Sequence, residues 1–214
     1  MHLIDDILPP ALWLGGYAGT AAAGAVAVRR LTPEQVPKVA VVTSAFVVAS
    51  YVYVPLPLGT SVHLLMNGLV GILLGADALL AIVVALVVHM LAGQGGFQPL
   101  GFTALAVASG ALLAHAIFHR MRSQDRPART AAVGFLAGAA ALYWSAFVIF
   151  LALWLSGDSL RDASRLFLIP HAGLAVVEGI VTAVVVSYLQ RVQPSLLDGA
   201  SGERSAFPVV VGHE

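Results

Sequence analysis

Cysteine is absent from the 214 residues. That excludes disulfides, thiolate zinc sites and cysteine-held iron–sulfur clusters, and it leaves the redox compartment open. Charge is scarce as well. Charged side chains make up 10% of the chain, against about 25% in soluble domains. Eleven basic residues balance eleven acidic ones, so no excess of positive charge points to a nucleic-acid partner. No Lys or Arg precedes Arg29, and the start therefore does not read as a secretory signal. The catalytic signatures are missing too: there is no GxSxG elbow, no HExxH and no Walker-type phosphate loop. The expectation is a chain that is not an enzyme, with any ATP hydrolysis carried by other chains.

What fills the sequence is apolar: hydrophobic residues are 59% of it, the composition of an integral membrane protein. Apolar runs cover residues 8–28, 39–54, 64–74, 78–92, 101–118, 130–155 and 166–190. Pro9 and Pro10 suit the first turn of the first helix, where missing amide donors cost little. The third run is short and broken by Gly68 and Gly71, with Asn67 at its start. A short glycine-interrupted segment in a membrane protein points toward a binding site. Polar stretches at 156–165 and after residue 190 read as loop and tail. The expected fold class is all-α, a polytopic seven-helix membrane bundle. It forms one domain over residues 1–195, with a disordered polar tail at 196–214.

Orientation follows from the basic residues. With the amino terminus outside, the inner segments hold Arg29, Arg30, Lys38, Arg120, Arg122, Arg126, Arg129, Arg191 and Arg204, while the outer loops hold only Arg161 and Arg165. This positive-inside bias predicts an outer amino terminus, a cytoplasmic carboxyl terminus and a multi-pass location in the inner or plasma membrane. It also brings Met1, His2 and the loop ending at His63 to the same outer side.

That co-location matters because a free amine followed by histidine is a chelating unit. The Met1 amine, the His2 amide nitrogen and the His2 imidazole close two rings around one ion. A fourth planar nitrogen would suit Ni(II) or Cu(II). The bland alternative is a frayed terminus. His63 follows Thr60-Ser61 and is either the fourth nitrogen ligand or an interfacial histidine. Asp5 and Ser61 are candidate partners for a ligating imidazole, although Ser61 fits equally well as a helix cap. His171 and Glu178, seven apart, read first as a buried hydrogen-bonded pair fixing helix packing and second as a polar seam toward the pocket. His115 and His119 have zinc-pair spacing but lack the intervening glutamate, and they read as interfacial. His89 is placed near the pocket mouth.

The chain resembles the cobalt/nickel substrate-binding membrane subunits (CbiM/NikM type) of energy-coupling factor transporters. The matching pieces are Met1-His2 with Asp5 and Leu8-Pro9; Val36-Pro37-Lys38; Gly59-Thr60-Ser61-Val62-His63-Leu64-Leu65 through Ile72-Leu73-Leu74-Gly75; the Gly95-Gly96 loop; and His171 with Ala175-Val176-Val177-Glu178-Gly179-Ile180-Val181-Thr182. They span nearly the whole chain in the family's order. The resemblance implies a seven-helix bundle whose amino terminus enters an outward pocket and binds Co(II) or Ni(II) as transported substrate, with no other cofactor. The ligands it implies are Met1, His2 and His63. It implies as partners a transmembrane coupling subunit, cytoplasmic ATPases, a small accessory membrane protein and the lipid bilayer. Its physiological setting is metal supply, including that for cobalamin biosynthesis. The sequence departs from the family at three places: Ile4 and Asp6 stand where proline and glycine are usual, His89 stands for a glutamine, and Gly101-Phe102-Thr103-Ala104 replaces an Asn-bearing stretch. These departures bear on pocket shape and metal preference.

Two other classes fit parts of the pattern. One is a membrane electron carrier holding b-type haem between pairs drawn from His63, His89, His115 and His171. The other is an organic-vitamin-binding subunit of the same transporter class, which would give the free terminus no role.

Overall fold

The computed structural model describes residues 3–55 and 61–198, and these form helices joined by one small hairpin. α1 (Pro10–Arg30) begins on its proline pair and ends after Arg29 and Arg30, where Leu31 turns extended. α2 (Val36–Ser50) follows a short polar link. Then come α3 (Asn67–Leu74), α4 (Ala78–Leu91), α5 (Leu100–Met121), α6 (Pro127–Leu155) and α7 (Asp158–Val192), and a last 3-10 turn covers Pro194–Leu197. Among the described residues five stretches are long and apolar enough to cross a membrane, and Val36–Ser50 is a shorter apolar helix. The chain is a multi-pass membrane protein.

Several boundaries differ from the sequence-based expectation. The second run leaves helical geometry at Tyr51, four residues early, and enters β1 (Tyr53–Pro55), which pairs antiparallel with β2 (Ser61–His63). The fold is therefore helical with one hairpin rather than purely α. The stretch 156–165 is not a loop: α7 already starts at Asp158, leaving Ser156 and Gly157 as the connection. Its first turns are polar yet helical, held by an Asp158–Arg161 ion pair one turn apart and by Arg161 and Arg165 over the Trp154 ring. Past residue 195, Leu197 is buried and Asp198 pairs with Arg122. The rest of the expected tail, 199–214, lies outside the described residues.

The stretch Asn67–Leu91 is apolar throughout but is not one straight crossing. His63, just before α3, hydrogen-bonds the Ser50 carbonyl, and the Ser50 hydroxyl bonds His89 at the end of α4. Both ends of the segment thus lie at one end of the molecule. The reversal is made at Gly75, whose φ of +57° suits a residue without Cβ, followed by the 3-10 turn Gly75–Asp77. The α3 arm is wedged into the bundle. A Cβ on Gly71 would fall on the Ala111 carbonyl of α5, and one on Gly68 would meet the Gly138 backbone of α6. His115 and His119 of α5 grip the α3 C-terminus by hydrogen bonds to the Gly71 and Ile72 carbonyls, both 3.2 Å, the Gly71 carbonyl also taking the Gly75 N–H. They are half-buried bracing groups rather than interfacial ones.

Buried alanines (Ala104, Ala111, Ala137, Ala141, Ala146) line the core between α5 and α6, where small side chains let membrane helices pack closely. One end of the bundle carries residues 3–6, Ser50, His63, His89 and Trp154. The other carries Arg122 with Asp198, Arg129 on the Met121 carbonyl, and Gln190 on Ser123.

Candidate metal centre

The site is built at the end holding residues 3–6. His63 closes β2 opposite Tyr53, and its side chain is 6% exposed. The Nδ1–H donates to the Ser50 carbonyl at 2.9 Å, so in this tautomer Nε2 carries the lone pair, the arrangement of a histidine ready to ligate. Burial pushes the His63 pKa down to about 4, with the Ser50 carbonyl opposing part of that shift. The ring is therefore neutral at physiological pH.

Ser50 links two imidazoles. Its carbonyl serves His63, and its hydroxyl lies 2.5 Å from His89 Nε2. His89 is buried, lies beside the Tyr51 ring, and its carbonyl accepts the Gln94 N–H. Sequence reasoning missed Ser50, because a partner acting through its main-chain carbonyl leaves no side-chain signature.

The amino-terminal segment is fastened to residues 92–99. The Gly96 N–H donates to the Leu3 carbonyl at 2.8 Å. The Gln98 N–H donates to Asp5 Oδ1, the Asp6 N–H donates to Gln98 Oε1, and Gln98 Nε2 returns a bond to Asp6 Oδ1. The Tyr17 hydroxyl donates to the Phe97 carbonyl. Gly96 must be glycine, since a Cβ there would overlap the backbone and carboxylate of Asp5. Asp5, a candidate partner for a ligating imidazole, gives its Oδ1 to the Gln98 N–H, and His63 takes the Ser50 carbonyl. Asp6 has φ +65°, a left-handed position where the family's glycine is free of cost and where aspartate is tolerated better than most residues. Met1 and His2 lie outside the described residues. So does the Ser61 side chain, although the Ser61 backbone pairs with Pro55.

His171 and Glu178 are both buried, but they do not pair. His171 donates from Nδ1 to the Phe167 carbonyl at 2.6 Å and lies within electrostatic reach of His63. Glu178 accepts the Leu65 and Met66 N–H groups on one oxygen. The expected mutual hydrogen bond gives way because each group finds a main-chain partner closer at hand. Asn67, at the head of the short third run, donates to the Val107 carbonyl and to Ser145.

Among the described residues no group of three or more His, Asp or Glu side chains is arranged to hold a metal ion. Each of the four histidines considered for haem spends one ring nitrogen on a protein oxygen. A metal centre at this end would need donors beyond the described side chains.

Comparison with known proteins places this arrangement. The family model described as "CbiM: Cobalt uptake substrate-specific transmembrane region" matches residues 2–196. A Haemophilus influenzae protein named for metal transport is 30% identical over 204 residues, covering 92% of this chain and 97% of that one. The cobalt transport protein CbiM of Sorangium cellulosum is 29% identical over 216 residues, covering 92% and 95%. A solved structure described as a transition metal transporter superposes with a TM-score of 0.73 over 90% of this chain and 93% of that one, at 24% identity, and so shares the fold. This chain belongs to the CbiM family of substrate-specific transmembrane proteins.

Proposed function

We propose that this protein is the substrate-binding membrane subunit of an energy-coupling factor transporter for uptake of divalent cobalt or nickel. The ion is held by four nitrogens: the Met1 amine, the His2 amide and imidazole, and the His63 imidazole. One observation carries the reading: His63, buried and fixed as a neutral ring by Ser50, stands at the same end as residues 3–6, which Gln98 and Gly96 fasten in place. His89 and Ser50 stiffen the His63 side, and Asp5 stiffens the terminal side. Ser61, His171 and Glu178 complete the surroundings.

In this reading the chain makes seven crossings, with α3 and α4 as one descending and one returning arm, the amino terminus outside and the carboxyl terminus in the cytoplasm. The basic residues gathered at the Arg122 end support that orientation. A coupling subunit and cytoplasmic ATPases reorient the loaded bundle, and a small accessory membrane protein completes the assembly in the inner or plasma membrane. Square-planar nitrogen ligation suits Ni(II), and low-spin Co(II) fits the same plane. Binding releases protons, so affinity falls with acid as the terminal amine and the His2 imidazole protonate.

The test adds one residue before Met1. Every side chain is kept and only the terminal amine is displaced. Native protein is expected to bind about one Ni(II) or Co(II), and the extended form to bind none. Equal binding by both overturns the reading. A haem absorbance in the purified protein, or tight binding of an organic vitamin by both forms, would move the assignment to those classes.

A further inference from the structure

Leu65 and Met66 form the elbow between β2 and α3, and neither backbone N–H can join a ladder there. Leu64 still belongs to the hairpin, donating to the Val52 carbonyl. Met66 is the N-cap of α3 with φ +51° and ψ +21°, a left-handed conformation for a non-glycine residue, and no side chain of its own helix caps it. Both orphan donors go to the same atom, Oε1 of Glu178, which reaches across from α7. Glu178 is fully buried, and its Oε2 has no hydrogen-bond partner. An ionisable side chain at membrane depth calls for a functional account, and packing alone would be served by an apolar residue.

The anchor behind this carboxylate is rigid. A Cβ on Gly138 of α6 would overlap the Thr182 side chain and the Glu178 carbonyl, and one on Gly179 would overlap Phe135. α6 and α7 are therefore in backbone contact at this level and leave Glu178 little freedom. Two residues upstream of the clamped amides stands His63. Its segment is fixed by the β1 ladder on one side, by the Ser50 carbonyl at the ring, and by Glu178 at the exit of the strand.

We propose that Glu178 is a positioning residue for metal binding: by holding the Leu65 and Met66 amides it supplies the α3 N-terminal cap from another helix and sets the direction in which His63 is presented. The proposal rests on the metal-site reading given above. It requires an acceptor at this place and not a negative charge. A neutral glutamine carbonyl oxygen should serve, whereas a methyl group should not.

The test compares native protein with Glu178→Gln and Glu178→Ala in detergent. Hydrogen exchange at Leu65 and Met66, measured without metal, should quicken at least tenfold in Glu178→Ala and stay within about threefold of native in Glu178→Gln. Ni(II) affinity should weaken about 10- to 100-fold in Glu178→Ala, the usual effect of removing an outer partner of a ligand, and stay within about threefold in Glu178→Gln. With Cu(II) as a spectroscopic probe, Glu178→Ala should pass from four equatorial nitrogens to three, because the His63 nitrogen is lost from the set. Where Glu178→Ala does not give a monodisperse protein, Glu178→Asp, one methylene short of both amides, is read the same way. Native exchange or four-nitrogen ligation in the shortened variant overturns the proposal, and so does an equal loss in Glu178→Gln. The exchange arm needs no metal. A failure of the terminal-extension experiment therefore refutes the metal-site reading without deciding this one.

Discussion

Acidification tests the burial of His63 directly. Its ring is held to a pKa of about 4 inside the fold, against 6.5 ordinarily. Between those values the unfolded chain takes up a proton that the folded chain refuses, so stability falls as pH falls from 6.5 toward 4. The two pKa values place the loss between pH 7.5 and pH 5 at about 2 kcal/mol from this residue alone. For a chain of this size that is about 4–8 °C in Tm. The assay is metal-free thermal unfolding in detergent at both pH values, for native protein and His63→Gln, whose amide does not titrate. Native protein should lose about 4–8 °C more than the variant. Equal losses in the two proteins would refute the burial argument, because every other titrating group is common to both.

Gln98→Ala removes the two side-chain hydrogen bonds to Asp6 at an exposed surface and keeps the Gln98 N–H bond to Asp5; the fold should lose about 1 kcal/mol or less, while Ni(II) affinity by titration should weaken about tenfold, by the same outer-partner effect. Gly71→Ala drives a methyl into the Ala111 carbonyl and pushes α3 off the His115 contact, which should cost about 3 kcal/mol by thermal unfolding. Arg122→Ala breaks the partly exposed pair with Asp198 at the far end; about 1 kcal/mol or less should be lost, and metal affinity should not move.

The apolar runs located the helices well, because membrane burial and helical hydrogen bonding coincide along α1, α5 and α6. Where the two part company, hydropathy misleads. Val52 and Val54 continue the apolar run of α2 but lie beyond its end, since backbone paired in a hairpin satisfies its hydrogen bonds as a helix does. At the same end of the bundle, 156–165 read as loop because it is polar, yet a helix leaving the membrane needs only water-facing side chains, and Asp158, Arg161 and Arg165 provide them. The short third run with Asn67 and two glycines is the arm wedged between α5 and α6. Its reversal at Gly75 was not legible, because a lone glycine inside an apolar stretch fits a straight helix as well as a turn.

The site shows the same division. His63 stood out in the sequence as an imidazole after a Thr-Ser pair. Ser50 did not, because it meets His63 through its main-chain carbonyl. Glu178 stood out as an acid in an apolar helix, yet its partners are main-chain amides 113 and 112 residues upstream, which no local pattern encodes. The nearer His171 drew the pairing instead. Asp6 in the place of glycine was visible as a departure, and its φ of +65° together with the reciprocal Gln98 bonds shows how the substitution is accommodated.

The late start of α3 has a mechanical consequence. Asn67 bonds the carbonyl of Val107, seven residues into α5, so the helix begins about 10 Å below the end of the bundle at 1.5 Å per residue. Above it the chain between His63 and Asn67 descends without a ladder of its own, its amides met by Val52 and Glu178 alone. Bare backbone of this kind survives at membrane depth only while protein walls it off from lipid. Separating α7 from that elbow would strip the Leu65 and Met66 amides of their acceptor, so a motion that carries α7 must carry the elbow and α3 with it as one block.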